Sequence, residues 1–195
     1  TSDRKFGIEL LSTKLPQMRT IPIEKSVSIK NEVSTYDAVV SLVEESTGPF
    51  VILPCICREK KQINGKTCDI TDRKETCMAI GDAADGAIRN DIGRQIDLEE
   101  AIAILRMNQQ QGLVFQPSNS RKIDFICSCC GCCCGILKIH KKLPKPLDFW
   151  SANFLARIDE QQCIACGLCS KKCQVDAVIS RENPETCSID PVRCI

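Results

Sequence analysis

The chain has 195 residues, 43% of them hydrophobic, but aromatics supply only 4%, so its core must lean on aliphatic side chains or on something other than side chains. Lys and Arg number 26 against 25 Asp and Glu, for a net charge of +1, so no strong field selects nucleic acid or an anionic membrane surface. Sixteen cysteines are several-fold above ordinary usage and demand a disulfide, zinc or cluster explanation.

Residues 1–34 read as an extended or irregular N-terminal segment, with Pro16 and Pro22 breaking any helix. The start at Thr1 without Met makes it the expected continuation of an upstream part. Tyr36, Val39, Val40 and Val43 recur at helical spacing, and Gly48-Pro49 ends that helix. The apolar run Phe50–Leu53 reads as a buried strand delivering Cys55 and Cys57 to one face, followed by a polar, Lys-rich loop through Gly65. Cys77 to Ile88 reads as a helix, with Cys77 at its start. Asp97 to Glu100 resembles a capping box, and Leu98, Ala101, Ile102 and Leu105 form an apolar stripe that Gly112 stops. Leu113–Phe115 and Ile123–Ile126 are candidate strands, the second leading straight into Cys127. Pro144 and Pro146 mark a boundary, and Leu155–Asp159 reads as a strand before the last cysteine group. The fold class expected is α+β. A small cysteine-rich α/β domain over 35–150 would bind one or two clusters, ahead of a partial ferredoxin-like (βαβ) module over 151–195.

The sharpest motif is Cys163-Ile-Ala-Cys166-Gly-Leu-Cys169-Ser-Lys-Lys-Cys173. Its C-x2-C-x2-C-x3-C spacing wraps a short loop around a cubane, with Gly167 letting the backbone pass close; zinc rarely needs three thiolates so spaced. In Cys127-Ser-Cys129-Cys130-Gly131-Cys132-Cys133-Cys134, six cysteines crowd into eight residues. Disulfides there would be strained, and thiolates so close repel unless a multivalent cation neutralises them. Cys127 and Cys129, if extended, share a face while Cys130 takes the other, so one loop could serve two metal centres. Cys55, Cys57, Cys68 and Cys77 form a third constellation, either a centre by themselves or shared with the six-cysteine loop between two cubanes. Ten thiolates exceed the eight that two cubanes need, and spacing alone assigns no individual ligand.

The segment from Cys163 to Val178 resembles two-cluster bacterial ferredoxins, with Gln174 where that family has Pro. The resemblance implies that Cys163, Cys166 and Cys169 share one cluster, and that Cys173 joins Cys194 at a second. Asp190 to Ile195 would then open a second motif that the sequence leaves unfinished; Cys187 has no counterpart and reads as a plain free thiol. The whole set of motifs, Cys-Ile-Cys-Arg at 55–58 included, resembles a group of anaerobe-type 4Fe–4S binding proteins of poorly defined role, from about residue 15 onward. That implies a multi-cluster electron carrier. The Cys-Cys-Gly element also resembles heterodisulfide reductase catalytic subunits, although two well-separated copies are lacking.

The competing readings fare as follows. A disulfide-rich secreted protein conflicts with the ferredoxin spacing. With His140 the only histidine, any zinc site would be all-cysteine, conceivable for Cys55, Cys57, Cys68 and Cys77. Gly65-Lys66-Thr67 lacks the upstream glycine of a phosphate loop. His140 reads as a solvated surface residue, and Lys138, Lys141 and Lys142 as a wet face or a docking patch for a redox partner. No apolar run approaches the ~18 residues of a membrane span, and no signal peptide is seen, so a cytoplasmic location is expected. The function expected is electron transfer between two or more 4Fe–4S clusters within a larger anaerobic redox complex, with a cluster-based oxidoreductase and a redox sensor as alternatives.

Overall fold

The computed structural model describes residues 19–20, 39–118, 122–148, 151–152, 154–182 and 185–195. Apart from Arg19 and Thr20, the segment read as extended at 1–34 lies outside these residues, as does Tyr36. In chain order the elements are β1 (Arg19–Thr20), α1 (Val39–Glu44), β2 (Phe50–Pro54), α2 (Ile56–Ile63), β3 (Glu75–Ile80), α3 (Asp82–Arg89), β4 (Arg94–Ile96) and α4 (Leu98–Gln110). There follow β5 (Val114–Pro117), β6 (Phe125–Cys129), α5 (Gly135–Lys142), a 3-10 turn (Pro146–Asp148), β7 (Ser151–Ala152), α6 (Leu168–Lys172), β8 (Val178–Glu182) and β9 (Glu185–Ile189). The class is α+β.

The centre is a five-stranded antiparallel sheet in the order β4-β2-β3-β6-β5. Its register divides the side chains between two faces, because successive residues alternate. Phe50, Ile52, Met78, Ile80, Phe115 and Ile126 share one face and form the main core with Val39, Leu42 and Val43 of α1 and Ala101, Ile104 and Leu105 of α4. Full burial of each large aliphatic side chain contributes about 1.5–3 kcal/mol. On the other face Val51 and Ala79 pack against Ala84 and Ala87 of α3. Farther along that face the strands present sulfur instead of hydrocarbon: Cys77 stands opposite Leu53, and Cys127 and Cys129 stand opposite Gln116 and Val114.

The helix over 98–110 forms as its sequence predicts, with the Glu100 N–H donating to the Asp97 carboxylate at 2.8 Å. Its buried stripe is Ala101, Ile104, Leu105 and Asn108, whereas Leu98 stays exposed. Gly112, at φ +72°, follows the last turn.

Four expectations need correction. Cys55 and Cys57 do not share a strand: β2 ends at Pro54, which has no N–H for the ladder, and Cys55 caps α2 while Cys57 lies within it. The Lys-rich stretch read as a loop is that helix, built from good helix formers such as Glu59, Lys60, Lys61 and Gln62. Cys77 sits inside β3 rather than at a helix start, since the chain breaks at Gly81 (φ +57°) and α3 begins only at Asp82. Residues 155–159 form no strand; α6 and the antiparallel hairpin of β8 with β9 follow instead. Among the described residues, no helix is long and apolar enough to cross a membrane.

Candidate metal centres

All sixteen cysteines are free, which removes the disulfide reading. The ten between residues 55 and 134 fall into a ring of six and a compact group of four. Cys68 parts from Cys55, Cys57 and Cys77, so those four do not form a centre by themselves.

In the ring, Cys55 neighbours Cys57, Cys57 neighbours Cys134, then Cys129, Cys127 and Cys77 follow, and Cys77 returns to Cys55. Sheet register supplies Cys77, Cys127 and Cys129, while the N-terminal ends of α2 and α5 supply Cys55, Cys57 and Cys134. The acidities alternate around the circle. Hydrogen bonds from Cys57 and Cys77 pull Cys55 down to about 2. Those from Cys129 and Cys57 pull Cys134 down to about 3. Cys127 drops to about 5 through Cys129 and Cys77. The three intervening thiols are pushed up: Cys57 by Cys134, Cys129 by Cys127, and Cys77 by Cys127. Each sulfur of the ring thus shares hydrogen bonds with its two neighbours. Backbone N–H groups of Arg58, and of Ile136 and Leu137, further favour thiolates at the two helix caps.

The compact group is Cys68, Cys130, Cys132 and Cys133, whose sulfurs all lie within 4.8 Å of one another. Cys68 Sγ is 3.6 Å from Cys130 and 3.7 Å from Cys132; Cys132 is 3.6 Å from Cys130 and 3.5 Å from Cys133. A tight turn, with the Cys133 and Cys134 N–H groups donating to the Cys130 carbonyl, curls the loop around this point. That turn sends Cys130, Cys132 and Cys133 one way and Cys134 into the ring, so the loop serves both groups as its alternation predicts.

Between the two groups lies Arg58, a residue the sequence reading carried only as part of a motif. It is buried and donates through Nη2 to the Ser128 carbonyl at 3.0 Å and to Cys130 Sγ at 3.8 Å, and through Nη1 to Thr76. Its guanidinium also faces Cys55 and Cys68, and these negative neighbours hold its proton against the burial that opposes it. Asn108, donating to the Thr76 carbonyl and to Ser128 Oγ, braces the same network. A cavity of about 230 Å³ opens beside Cys68, lined by Arg58, Lys66, Arg73 and Lys74 among others.

The C-terminal cysteines divide between a pair packed against the first domain and a more exposed segment. Cys173 and Cys194 pack together with Cys127, Cys129 and Cys134 around Leu137, Val175 and Ala177. Each accepts a backbone hydrogen bond, Cys173 from Ala177 at 3.2 Å and Cys194 from Ala156 at 3.3 Å. Cys163 and Cys166 lie on the loop entering α6, where Ala165 (φ +52°) and Gly167 (φ +71°) turn the backbone, and Cys169 lies in the first turn of α6. Cys166 and Cys169 are exposed. Cys187 is buried in β9 and neighbours Cys169 and Cys163; no spacing rule pointed to it.

Gln174 explains its own departure from proline. Its Oε1 accepts the Gly131 N–H at 2.7 Å, and a Cβ on Gly131 would come within 2.2 Å of the Gln174 carbonyl oxygen. The close approach at Gly131 is therefore to this backbone. Lys141, read as part of a docking patch, pairs with Asp176 at 2.9 Å, and its carbonyl accepts from Arg193. Lys138 and Lys142 stay exposed. His140, expected in solvent, is fully buried beside this joint, because the helical period of α5 turns it inward with Leu137.

The sulfur sets, their thiolate-favouring N–H donors and the buried Arg58 fit an anionic metal–sulfur centre. Residues 156–179 match the family model for a 4Fe-4S binding domain. No curated protein and no solved structure gives a significant match.

Proposed function

We propose that this chain is a relay of electrons through two or more 4Fe–4S clusters, working as a module of a larger redox complex of anaerobic metabolism. Its coarser part rests on the 4Fe-4S binding segment at 156–179, which supports an iron–sulfur protein with an electron-transfer role. The observation that carries the finer part is the shared burial of Cys173 and Cys194 with Cys127, Cys129 and Cys134. Centres held by these two sets would be immediate neighbours with protein rather than water between them. When bound, such clusters take up and release one electron each.

The chain's own residues set the terms. Cys163, Cys166, Cys169, Cys173 and Cys194 would hold the C-terminal clusters, and the ring thiols a further one. Backbone donors to Cys173 and Cys194 stabilise charge on sulfur, which raises a potential, whereas burial favours the less charged state.

The test is anaerobic iron and acid-labile sulfide quantification with electron paramagnetic resonance of the reduced protein. Iron with matching sulfide, spin–spin interaction between cubane signals, and loss of one signal in Cys163→Ser or Cys169→Ser are the expected results. An unchanged iron content in both variants would sink the assignment.

A further inference from the structure

The two thiol groups between residues 55 and 134 differ in a way that bears on what each can bind. Four thiolates around one ion at the usual metal–sulfur length of about 2.3 Å stand about 3.8 Å apart, the edge of a tetrahedron. Four of the six separations among the sulfurs of Cys68, Cys130, Cys132 and Cys133 are 3.5–3.7 Å, and all six lie within 4.8 Å. A cubane attaches each thiolate to a different iron, so the iron–iron separation adds to every edge and the sulfurs stand apart from one another. The ring of six offers more donors than one ion uses.

We propose that Cys68, Cys130, Cys132 and Cys133 form a mononuclear tetrahedral site for one soft divalent cation, zinc or ferrous iron, separate from the clusters of the relay. Zinc is the better match to an all-thiolate, closed set that offers no open coordination position. Charge agrees. A divalent ion with four thiolates is a dianion, and the Arg58 cation donates to Cys130, while Lys61, paired with Asp69 at 3.2 Å, lies near Cys132 and Cys133. The role is structural: the site ties the loop after α2 to the loop before α5, segments 62 residues apart in sequence, and fixes the backbone from which Cys134 enters the ring.

The experiment uses the full chain purified anaerobically and washed with chelator. Expected is one metal ion per chain beyond the iron matched by labile sulfide. Cys68→Ser and Cys132→Ser lose that ion while the labile sulfide, the iron that matches it and the paramagnetic signals of the clusters persist. Zinc in that position identifies a structural zinc site, and sulfide-free iron identifies a one-iron site; both uphold the mononuclear geometry. Should the variants fail to fold, growth on cobalt supplies the second reading, because tetrahedral cobalt thiolate gives intense visible bands. Iron and sulfide lost together in the two variants, no metal lost, or no such cobalt bands overturns the proposal. The relay fails by a different sign, through Cys163 and Cys169 variants that keep their iron.

Discussion

The sheet-borne thiols and the loop-borne thiols are built on different principles. Cys77, Cys127 and Cys129 are aimed by strand register, Cys55 and Cys134 by helix caps, and the ring closes only when distant segments have assembled. Cys163, Cys166 and Cys169 lie within seven residues of chain, on a loop and the first turn of α6, half-buried or exposed. A sheet-borne site is therefore part of the core that folds it, whereas a loop-borne site is an attachment that the fold tolerates losing. The sharpest way to break this contrast is to remove one thiol from each. Cys127→Ala should abolish the ring's centre and cost roughly 3 kcal/mol or more, since it leaves a cavity and strips Cys77 and Cys129 of a buried partner at once. Cys166→Ala should lose iron from the loop yet leave the sheet's stability within about 0.5 kcal/mol. Metal analysis with chemical denaturation distinguishes them, and equal destabilisation by the two variants would end the distinction.

The same contrast explains what could be read from the sequence. The loop motif was legible because three thiolates at fixed short spacing have one geometric use, and the helix over 98–110 because its cap and stripe agree. Cys77 was misplaced because Met78, Ala79 and Ile80 are apolar at every position, so no period separates strand from helix. The partition of ten thiols depends on register between β3, β6 and β5, which spacing cannot supply. Arg58 was hard to see as a shared counter-charge because only the fold carries Cys130 to it. Gln174 was visible as an oddity, but its reason lies 43 residues away at Gly131.

The two regions meet where Gly131 faces Gln174, and that joint is the next place to press. Gly131→Ala would set a Cβ 2.2 Å from the Gln174 carbonyl oxygen, and neither backbone can give without breaking the 2.7 Å bond from the Gly131 N–H. The expected cost is about 3 kcal/mol, in the range of overpacked sites. Spin–spin interaction between the ring's centre and the C-terminal clusters should weaken while the content of each stays near wild type. Interaction unchanged in a folded Gly131→Ala protein would mean that the joint does not set the spacing.

His140 gives the smaller effect, and its sign is fixed by linkage. Burial, with Arg193 and Lys141 nearby, lowers its pKa from 6.5 to about 4, against a weaker opposing pull from Asp176. The unfolded chain then binds the proton more readily than the folded one. Stability from this group is complete above pH 6.5 and drains away as pH falls toward 4. By pH 5 the loss is roughly 2 kcal/mol. Chemical denaturation of wild type and His140→Gln at pH 7 and pH 5 isolates it, because acid effects on the thiolates are common to both proteins. The wild type should lose more stability than the variant over that interval. Because His140 adjoins Arg193, Lys141 and Asp176, acid should loosen the joint between the two regions before it unfolds the sheet, and spin–spin interaction at pH 5 should fall ahead of iron content. Parallel losses of interaction and iron would place the acid-sensitive group in the thiolates instead.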